Sequence, residues 1–185
     1  LTVPRIRYVI DSGSARVKRY NPRNQLERLH VEPISQAAAD QRKGRCGRVG
    51  PGICYRLYDE QDHLARPRFT DPEILRAALA GVILRMLALG LGDPARFPFL
   101  DAPSARAIGD GYRRLLELQA IEGSADDPDG ARITAIGRML ANLPVDVALG
   151  RMLVEARRLG VARELRVLVA FLAIQDPRER PADAR

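Results

Sequence analysis

Four cations and two glycines lie within eight residues of this chain, and their types and spacing could bind an anion. The residues run Gln41-Arg42-Lys43-Gly44-Arg45-Cys46-Gly47-Arg48. If the segment from about Ser35 is helical, Gln41, Arg45 and Arg48 fall at i, i+4 and i+7 and share one narrow stripe. Two guanidiniums on one stripe repel each other unless an anion lies between or opposite them, and their planar forks of donors match phosphate oxygens. The spacing favours a polyphosphate ligand over the alternative, a solvated basic helix face.

The two glycines and the first arginine of this run carry separate expectations. Each glycine costs a helix about 1 kcal/mol relative to alanine. Two of them near a helix end therefore predict the close approach of another surface or a ligand. Arg42 lies about 100° away from the stripe, so a salt bridge within its own domain is its favoured interpretation.

Composition limits the class of protein. The 185 residues are 46% hydrophobic and 29% charged, with a formal net charge of +7 and a pI of about 10.1. This balance favours polyanionic partners, of which nucleic acid is the commonest. No apolar run approaches the roughly 20 residues that span a bilayer, so no membrane partner is expected. Two cysteines suggest reduced thiols and a cytoplasmic location.

A metal site and a nucleophilic active site are both disfavoured. The histidines and cysteines are His30, Cys46, Cys54 and His63. Their spacing does not fit zinc ligation, and neither histidine has a nearby nucleophile with a plausible partner. Cys46 is expected to be a small packing residue, and no metal ligand is assigned in this chain.

The elements that position the cationic run are expected to be strands, a hairpin and one helix. The pattern predicts a strand over 5–11, a β-hairpin over 17–31 with a turn at Asn21-Pro22-Arg23-Asn24, and a strand over 53–58. Ser35 is a plausible N-cap for the intervening helix. A short polar helix and linker follow over 59–67, where the first domain boundary is placed.

The second half of the chain is predicted to be mostly helical. Thr70-Asp71-Pro72-Glu73 favours a helix start, and Gly90 and Gly92 end that helix. Ser104 caps the next helix, a turn-rich loop over 123–130 follows, and Arg132-Ile133-Thr134 forms a short strand. Helix, helix and a two-stranded tip is the order of a winged helix. Three further helices are predicted: 135–143 with Thr134 as its cap, one that starts at 144–146 and ends at Gly160, and 161–174.

The cationic run and its flanks resemble the last conserved motif of superfamily-2 helicases. The flanks are Pro33-Ile34-Ser35-Gln36-Ala37 before it and Pro51-Gly52-Ile53-Cys54-Tyr55-Arg56-Leu57-Tyr58 after it. Together they resemble the DEAH-box RNA helicases, and Lys43 and Cys46 are similar to the bacterial HrpA-type branch. The resemblance runs from Leu1 to about Pro181.

The resemblance implies a fold class and three domains. The class is α+β and mostly helical: part of an α/β RecA-like domain with a β-hairpin, then a winged helix, then a helical ratchet bundle. The boundaries are 1–66 for the end of the second RecA-like domain, 67–134 for the winged helix and 135–185 for the start of the ratchet domain. The winged helix is expected to be structural, because its second helix carries mixed charges and its tip is acidic.

The resemblance also implies roles for named residues. Arg45 and Arg48 are the expected arginine fingers that stabilise charge during ATP cleavage, and Gln41 orients the attacking water or the γ-phosphate. Thr2 matches a threonine near the nucleotide ribose. The hairpin cations Arg19, Arg23 and Arg28 are the expected RNA contacts.

The implied ligands and partners follow from the same family. ATP with Mg²⁺ is the expected cofactor, with the metal ligands in a first RecA-like domain. Single-stranded or partly duplex RNA is the expected partner, with DNA left open, together with the rest of the same polypeptide, and the protein is expected to be a monomer. The sequence contains neither a G-x-x-x-x-G-K-[S/T] phosphate loop nor Asp-Glu-Ala-His. The chain is therefore expected to be a fragment that does not hydrolyse ATP alone.

Two alternatives stay open at this point. One is a winged-helix nucleic-acid-binding module, such as a regulator, with no enzymatic role. The other is a degenerate helicase-like scaffold that only binds partners. The leading hypothesis is the C-terminal portion of an ATP-dependent, 3′-to-5′ RNA helicase.

Overall fold

The chain divides into two compact units, Leu1–Ala77 and Ala78–Arg185. A computed structural model describes residues 5–21, 26–124 and 127–174. Residues 67 and 68 are hydrogen-bonded to the first unit. The backbone N–H groups of Gln36 and Ala37 donate to the carbonyls of Pro67 and Arg68 at 3.0 Å each. The predicted domain boundaries after residues 66 and 134 stay predictions.

The first unit contains one parallel pair of strands within the described residues. Strand β1 (Tyr8–Asp11) pairs with β4 (Ile53–Arg56), and Asp11 lies opposite Arg56. Both lie within the ranges predicted from β-branched and alternating residues. A parallel pair needs a crossover connection, which here consists of a hairpin and a helix.

The predicted hairpin is present and longer than expected. Strand β2 (Ser14–Asn21) pairs antiparallel with β3 (Leu26–Pro33), and Arg19 lies opposite Arg28. The predicted turn residues 22–24 lie outside the described residues. Arg76 makes two hydrogen bonds to strand β2. Its carbonyl accepts from the Tyr20 N–H at 2.9 Å, and its guanidinium donates to the Lys18 carbonyl at 3.1 Å.

The predicted cationic helix stripe is wrong. Helix α1 (Gln36–Lys43) begins at the predicted cap, where the Ser35 hydroxyl accepts from the Ala38 N–H at 3.2 Å. It ends before Arg45, and residues 44–47 form turns. Gly44 is the C-cap, and glycine is a poor residue to continue a helix. Gln41 is therefore helical, whereas Arg45 and Arg48 are not.

The short polar helix predicted over 59–67 is confirmed as α2 (Glu60–Ala65), capped by Asp59. The helix start predicted at residues 70–73 is wrong. Only a 3₁₀ turn (Glu73–Leu75) forms there, and helix α3 (Ala80–Leu89) begins later. The Thr70 hydroxyl is 3.0 Å from the hydroxyl of Ser35, so the expected capping residue is bound to the N-cap of α1 instead. Tertiary contacts have overridden the local signal.

The second unit has helix, helix, two-stranded sheet and three helices, in the predicted order. The first helix ends at Gly90, whose φ of 67° is the left-handed conformation typical of a C-cap. Caps predicted at Ser104 and Thr134 are confirmed by hydrogen bonds to the N–H groups three residues on. The elements are α4 (Ala105–Glu117), β5 (Ile121–Ser124), β6 (Asp127–Ile133), α5 (Ala135–Ala141), α6 (Val147–Arg158) and α7 (Ala162–Ala173).

The core of the second unit lies where α3 and α4 pack together. Ile83, Leu84, Tyr112 and Leu115 are among its fully buried side chains. The fold is thus a mixture of helices and short strands in which helices predominate. None of the helices in the described ranges is long and apolar enough to cross a membrane.

Candidate functional site

The cationic run begins in the last turn of α1 and continues as a tight turn over residues 44–47. The Arg45 N–H donates to the Arg42 carbonyl at 3.0 Å, and the Cys46 N–H donates to the Lys43 carbonyl at 3.3 Å. Hydrogen bonds from the N–H of residue i+3 to the carbonyl of residue i are typical of the last, 3₁₀-like turn of a helix. The Cys46 thiol also donates to the Lys43 carbonyl at 3.0 Å and is only 3% exposed. The expected packing role of Cys46 is confirmed, and its burial anchors the turn.

The turn brings two predicted arginines outside the helix while leaving the glutamine on it. Arg45 is half-buried, and Gln41 and Arg48 are exposed. The Arg45 guanidinium has no hydrogen bond or ion pair to any residue that the structure describes. A half-buried arginine without an internal partner can bind an external anion without first breaking a hydrogen bond or ion pair.

The glycines of the turn differ in what surrounds them. A Cβ added at Gly47 would meet none of the chain's atoms within 4 Å, so packing does not require glycine there. A Cβ at Gly52, by contrast, would collide with the backbone carbonyl and Cβ of Cys46. A depression of about 500 Å³ lies at this turn, lined by residues that include Lys43, Gly44 and Gly47. The open space beside Gly47 fits the predicted approach of a ligand.

Arg42 is bound inside its own unit, which confirms its predicted salt bridge. Its Nη1 donates to Asp11 Oδ1 at 2.6 Å, and its Nη2 donates to the Ser14 carbonyl at 2.9 Å. One guanidinium therefore joins the end of β1 to the first residue of the hairpin. The Arg42 guanidinium is therefore already bound by groups of its own unit.

Asp11 is the centre of a polar cluster that the sequence interpretation missed. Its side chain is 1% exposed and also accepts from the Gly13 N–H at 3.0 Å and the Tyr58 hydroxyl at 2.8 Å. Burial raises the pKa of this carboxyl, but the hydrogen bonds from Gly13, Arg42 and Tyr58 together hold its pKa below the ordinary value. Burial, with the bond to Asp11, raises the pKa of Tyr58. The carboxylate is thus kept charged and fully partnered.

A second arginine closes this cluster. The Arg66 guanidinium lies 4.0 Å from the centroid of the Tyr58 ring and donates to the Gly13 carbonyl at 2.7 Å. Gly13 has φ of 72°, and a Cβ there would lie 2.5 Å from the Tyr58 ring. The sequence signal that could have revealed this cluster is Asp11-Ser12-Gly13, which places a carboxylate at the end of the predicted strand. A buried carboxylate needs hydrogen-bond partners.

The predicted RNA-contacting cations have different environments. The Arg19 guanidinium donates twice to the Glu32 carboxylate, at 2.6 and 2.8 Å, and lies 3.6 Å from Asp71. Arg28 is exposed and pairs with no described carboxylate. Arg23 and Thr2 lie outside the described residues. Of the hairpin cations within the described ranges, Arg28 is better placed than Arg19 to meet a phosphate.

The cysteines and histidines do not form a metal site within the ranges that the structure describes. No group of three or more His, Cys, Asp or Glu side chains there is arranged to hold an ion. Both cysteines are free thiols. Burial, with the nearby Asp11 charge, raises the pKa of the Cys54 thiol, so this thiol is not activated as a nucleophile.

Comparison with known proteins relates the whole chain to one group. No family model matches it. It is 59% identical over 184 residues to the ATP-dependent RNA helicase HrpA of Escherichia coli (strain K12), which covers 99% of this chain and 14% of that protein. It is 40% identical to a probable ATP-dependent RNA helicase, DHX34, of Mus musculus, over 100% of this chain and 16% of that protein.

Solved structures agree with the sequence relatives. The crystal structure of the Escherichia coli DEAH/RHA helicase HrpB matches with a TM-score of 0.82 at 34% identity. The match covers 96% of this chain and 22% of the HrpB chain. A second HrpB structure, described as a DExH-box NTPase, matches with a TM-score of 0.76 and covers 96% of this chain and 21% of that chain.

This chain matches these proteins over nearly all of its length and belongs to the DEAH-box helicase family. It corresponds to a segment of each longer relative. Within the family it is similar to the bacterial HrpA type, as a second bacterial relative shows: the HrpA homolog of Haemophilus influenzae is 55% identical over 99% of the chain. The chain spans about a seventh of the length of these two relatives, 14% in each case.

Proposed function

We propose that the chain is the C-terminal portion of an ATP-dependent, 3′-to-5′ RNA helicase. The observation that carries this is the Gln-Arg-x-Gly-Arg-x-Gly-Arg run, in which a turn follows the end of α1, Arg45 is unpaired within the described ranges and open space lies beside Gly47. Three sequence relatives support it: HrpA and its homolog are named as ATP-dependent RNA helicases, and DHX34 is named as a probable one. The alternative, a regulator without an enzymatic role, has no such support, because the relatives that match this chain are named as helicases.

The proposed chemistry is charge neutralisation during phosphoryl transfer. As the γ-phosphate of ATP leaves, negative charge develops on the transferred group and on the leaving oxygen. Arg45 and Arg48, brought in from a facing domain, would stabilise that charge, and Gln41 would orient the attacking water. Residues of a first RecA-like domain would hold Mg²⁺, which would neutralise part of the negative charge of the phosphates.

The rest of the chain is proposed to position this turn and to guide RNA. Residues 1–66 belong to the second RecA-like domain, 67–134 to a structural winged helix and 135–185 to the ratchet domain. The hairpin cations hold single-stranded or partly duplex RNA by its backbone. Thr2 and Arg23 keep their proposed contacts with ribose and RNA, and the monomeric state and cytoplasmic location remain predictions.

The test is to replace each finger in the full-length protein. Arg45→Ala or Arg48→Ala should lower RNA-stimulated ATP hydrolysis by about 10³-fold or more while RNA affinity changes little. The matched control is Arg68→Ala, because Arg68 is an exposed arginine of the same unit that stacks on Phe69, 5.4 Å from its ring centroid. The control should keep both activities.

Two results would contradict the proposal. One is a full-length protein that lacks RNA-stimulated ATP hydrolysis, and the other is a pair of finger variants that hydrolyse ATP at the unmodified rate. Residues 1–185 alone are expected to show no ATP turnover, because the chain holds no phosphate loop to bind the nucleotide. Measurable RNA-stimulated turnover by that segment would contradict this separate expectation.

A further inference from the structure

The Arg42 side chain connects two parts of the first unit that have different proposed tasks. Its two terminal nitrogens donate to Asp11 at the end of β1 and to the Ser14 carbonyl at the start of the hairpin. The planar guanidinium holds both acceptors in one fixed geometry, which a lysine cannot do. Arg42 therefore helps to hold the hairpin base at the end of β1.

The acceptor side of this connection is rigid. Asp11 is buried and accepts three hydrogen bonds, from Gly13, Arg42 and Tyr58. The next residues are held as well, because the Gly13 carbonyl accepts from the Ile34 N–H at 2.9 Å and from Arg66. Both ends of the hairpin are thus tied to the cluster: Gly13 directly precedes β2, and Ile34 directly follows β3.

The backbone of Arg42 makes the second half of the connection. Its carbonyl accepts the N–H of Arg45, the first arginine of the turn, at 3.0 Å. A displacement of the turn therefore moves the Arg42 backbone, and its side chain transmits that displacement to the hairpin base. Arg42 is hydrogen-bonded to Asp11, to the first residue of the hairpin and to Arg45 at once.

We propose that Arg42 is a positioning residue that couples the arginine turn to the β-hairpin, with buried Asp11 as its fixed anchor. The inference rests on the proposed helicase function and adds a residue-level route from nucleotide to RNA. Arg42 touches neither the triphosphate nor the RNA. Its loss uncouples ATP hydrolysis from strand separation instead of stopping hydrolysis.

The decisive variant is Arg42→Lys in the full-length protein. It keeps the positive charge beside Asp11 but can serve only one of the two acceptors. We expect RNA-stimulated ATP hydrolysis to remain within about twofold of the unmodified protein, and base pairs separated per ATP to fall about fivefold, within the range of measured coupling changes. Thermal unfolding measured alongside shows that the variant is folded at the assay temperature.

The matched control is Arg56→Lys. Arg56 also forms an ion pair with α1, donating to Asp40 at 2.8 Å, but this pair has no hydrogen bond to the described part of the hairpin. A general loosening of α1 would impair both variants, whereas loss of the connection impairs Arg42→Lys alone. Tyr58→Phe removes only one of the three bonds to Asp11, so it should fold and lower base pairs per ATP by about twofold.

Three results would overturn the inference. Base pairs per ATP could be unchanged in both Arg42→Lys and Tyr58→Phe. Hydrolysis and unwinding could fall in equal proportion in Arg42→Lys, which would make Arg42 part of the catalytic machinery. Arg56→Lys could also show the same uncoupling. Absence of ATPase activity in the unmodified protein is a different result and counts against the proposed function itself.

Discussion

Gly47 and Gly52 belong to the same turn but have opposite surroundings. A methyl group on Gly47 meets open space, and one on Gly52 meets the carbonyl of Cys46. Gly47→Ala should therefore leave the free energy of unfolding unchanged or raise it by about 0.4–1 kcal/mol, because the unfolded chain loses freedom. Gly52→Ala should lower it by about 1–3 kcal/mol through overpacking.

The functional consequence separates the two glycines further. If the space beside Gly47 receives a triphosphate, Gly47→Ala should slow ATP hydrolysis by the full-length protein by about 10- to 100-fold, since small misplacements of reacting groups are costly. Thermal unfolding and steady-state ATPase assays on the same samples measure both effects. A Gly47→Ala protein with unmodified hydrolysis would show that nothing approaches the turn there.

At the residue scale, the sequence predicted those contacts that depend on local spacing. The salt bridge of Arg42 was predicted because that residue leaves the stripe of its neighbours, and Asp11 supplies the partner. The Asp11 cluster was missed, because its partners Arg42 and Tyr58 are 31 and 47 residues away. No local periodicity encodes such a meeting, which depends on the packing of α1 against β1 and on the pairing of β1 with β4.

At the scale of elements, the ends of helices were predictable where their capping groups are local. Ser104 and Thr134 cap α4 and α5 through their own next turn. Thr70 has the same local signature, yet its hydroxyl meets Ser35 and no α-helix begins there. The α1 stripe failed for the opposite reason: the helical period was extended past Gly44, where the helix had already ended.

Helix α4 carries two glycines that provide an internal test of its packing. Gly111 is buried against α3, and a Cβ there would lie 2.5 Å from Ile83 Cδ1 and 3.3 Å from the Ala80 nitrogen. Gly111→Ala should therefore destabilise the protein by about 1–2 kcal/mol, because Ile83 is buried and cannot move aside freely.

Gly109 is the matched control on the same helix. A Cβ there meets only the end of the Arg113 side chain, at 3.6 Å. Gly109→Ala should stabilise the protein by about 0.5–1 kcal/mol, as alanine does in a helix interior. Denaturant unfolding of both variants measures the difference, and equal stabilities would show that α3 and α4 are not packed this closely.

For the whole molecule, the net charge of +7 matters through the cations that are free to meet a polyanion. A cation already held by a carboxylate releases few counterions when RNA binds, whereas an unpaired one adds about 0.7 to the slope of log affinity against log salt. Arg19 and Arg28 lie opposite each other on the hairpin, yet Glu32 holds Arg19 and no described carboxylate holds Arg28. The hairpin therefore contains a paired and an unpaired cation at one register position.

This difference predicts how the full-length protein binds single-stranded RNA at increasing salt. Arg28→Ala should weaken binding and reduce the salt slope by about 0.7, because one phosphate contact is lost. The double variant Arg19→Ala/Glu32→Ala keeps the net charge and removes only a pair that is neutral before binding, so its slope should match the unmodified protein. Titrations at several salt concentrations give all three slopes. The contrary result is a reduced slope in the double variant with an unchanged slope in Arg28→Ala. RNA would then displace Glu32 and bind Arg19, and internal ion pairs on the hairpin would not decide which cations bind RNA.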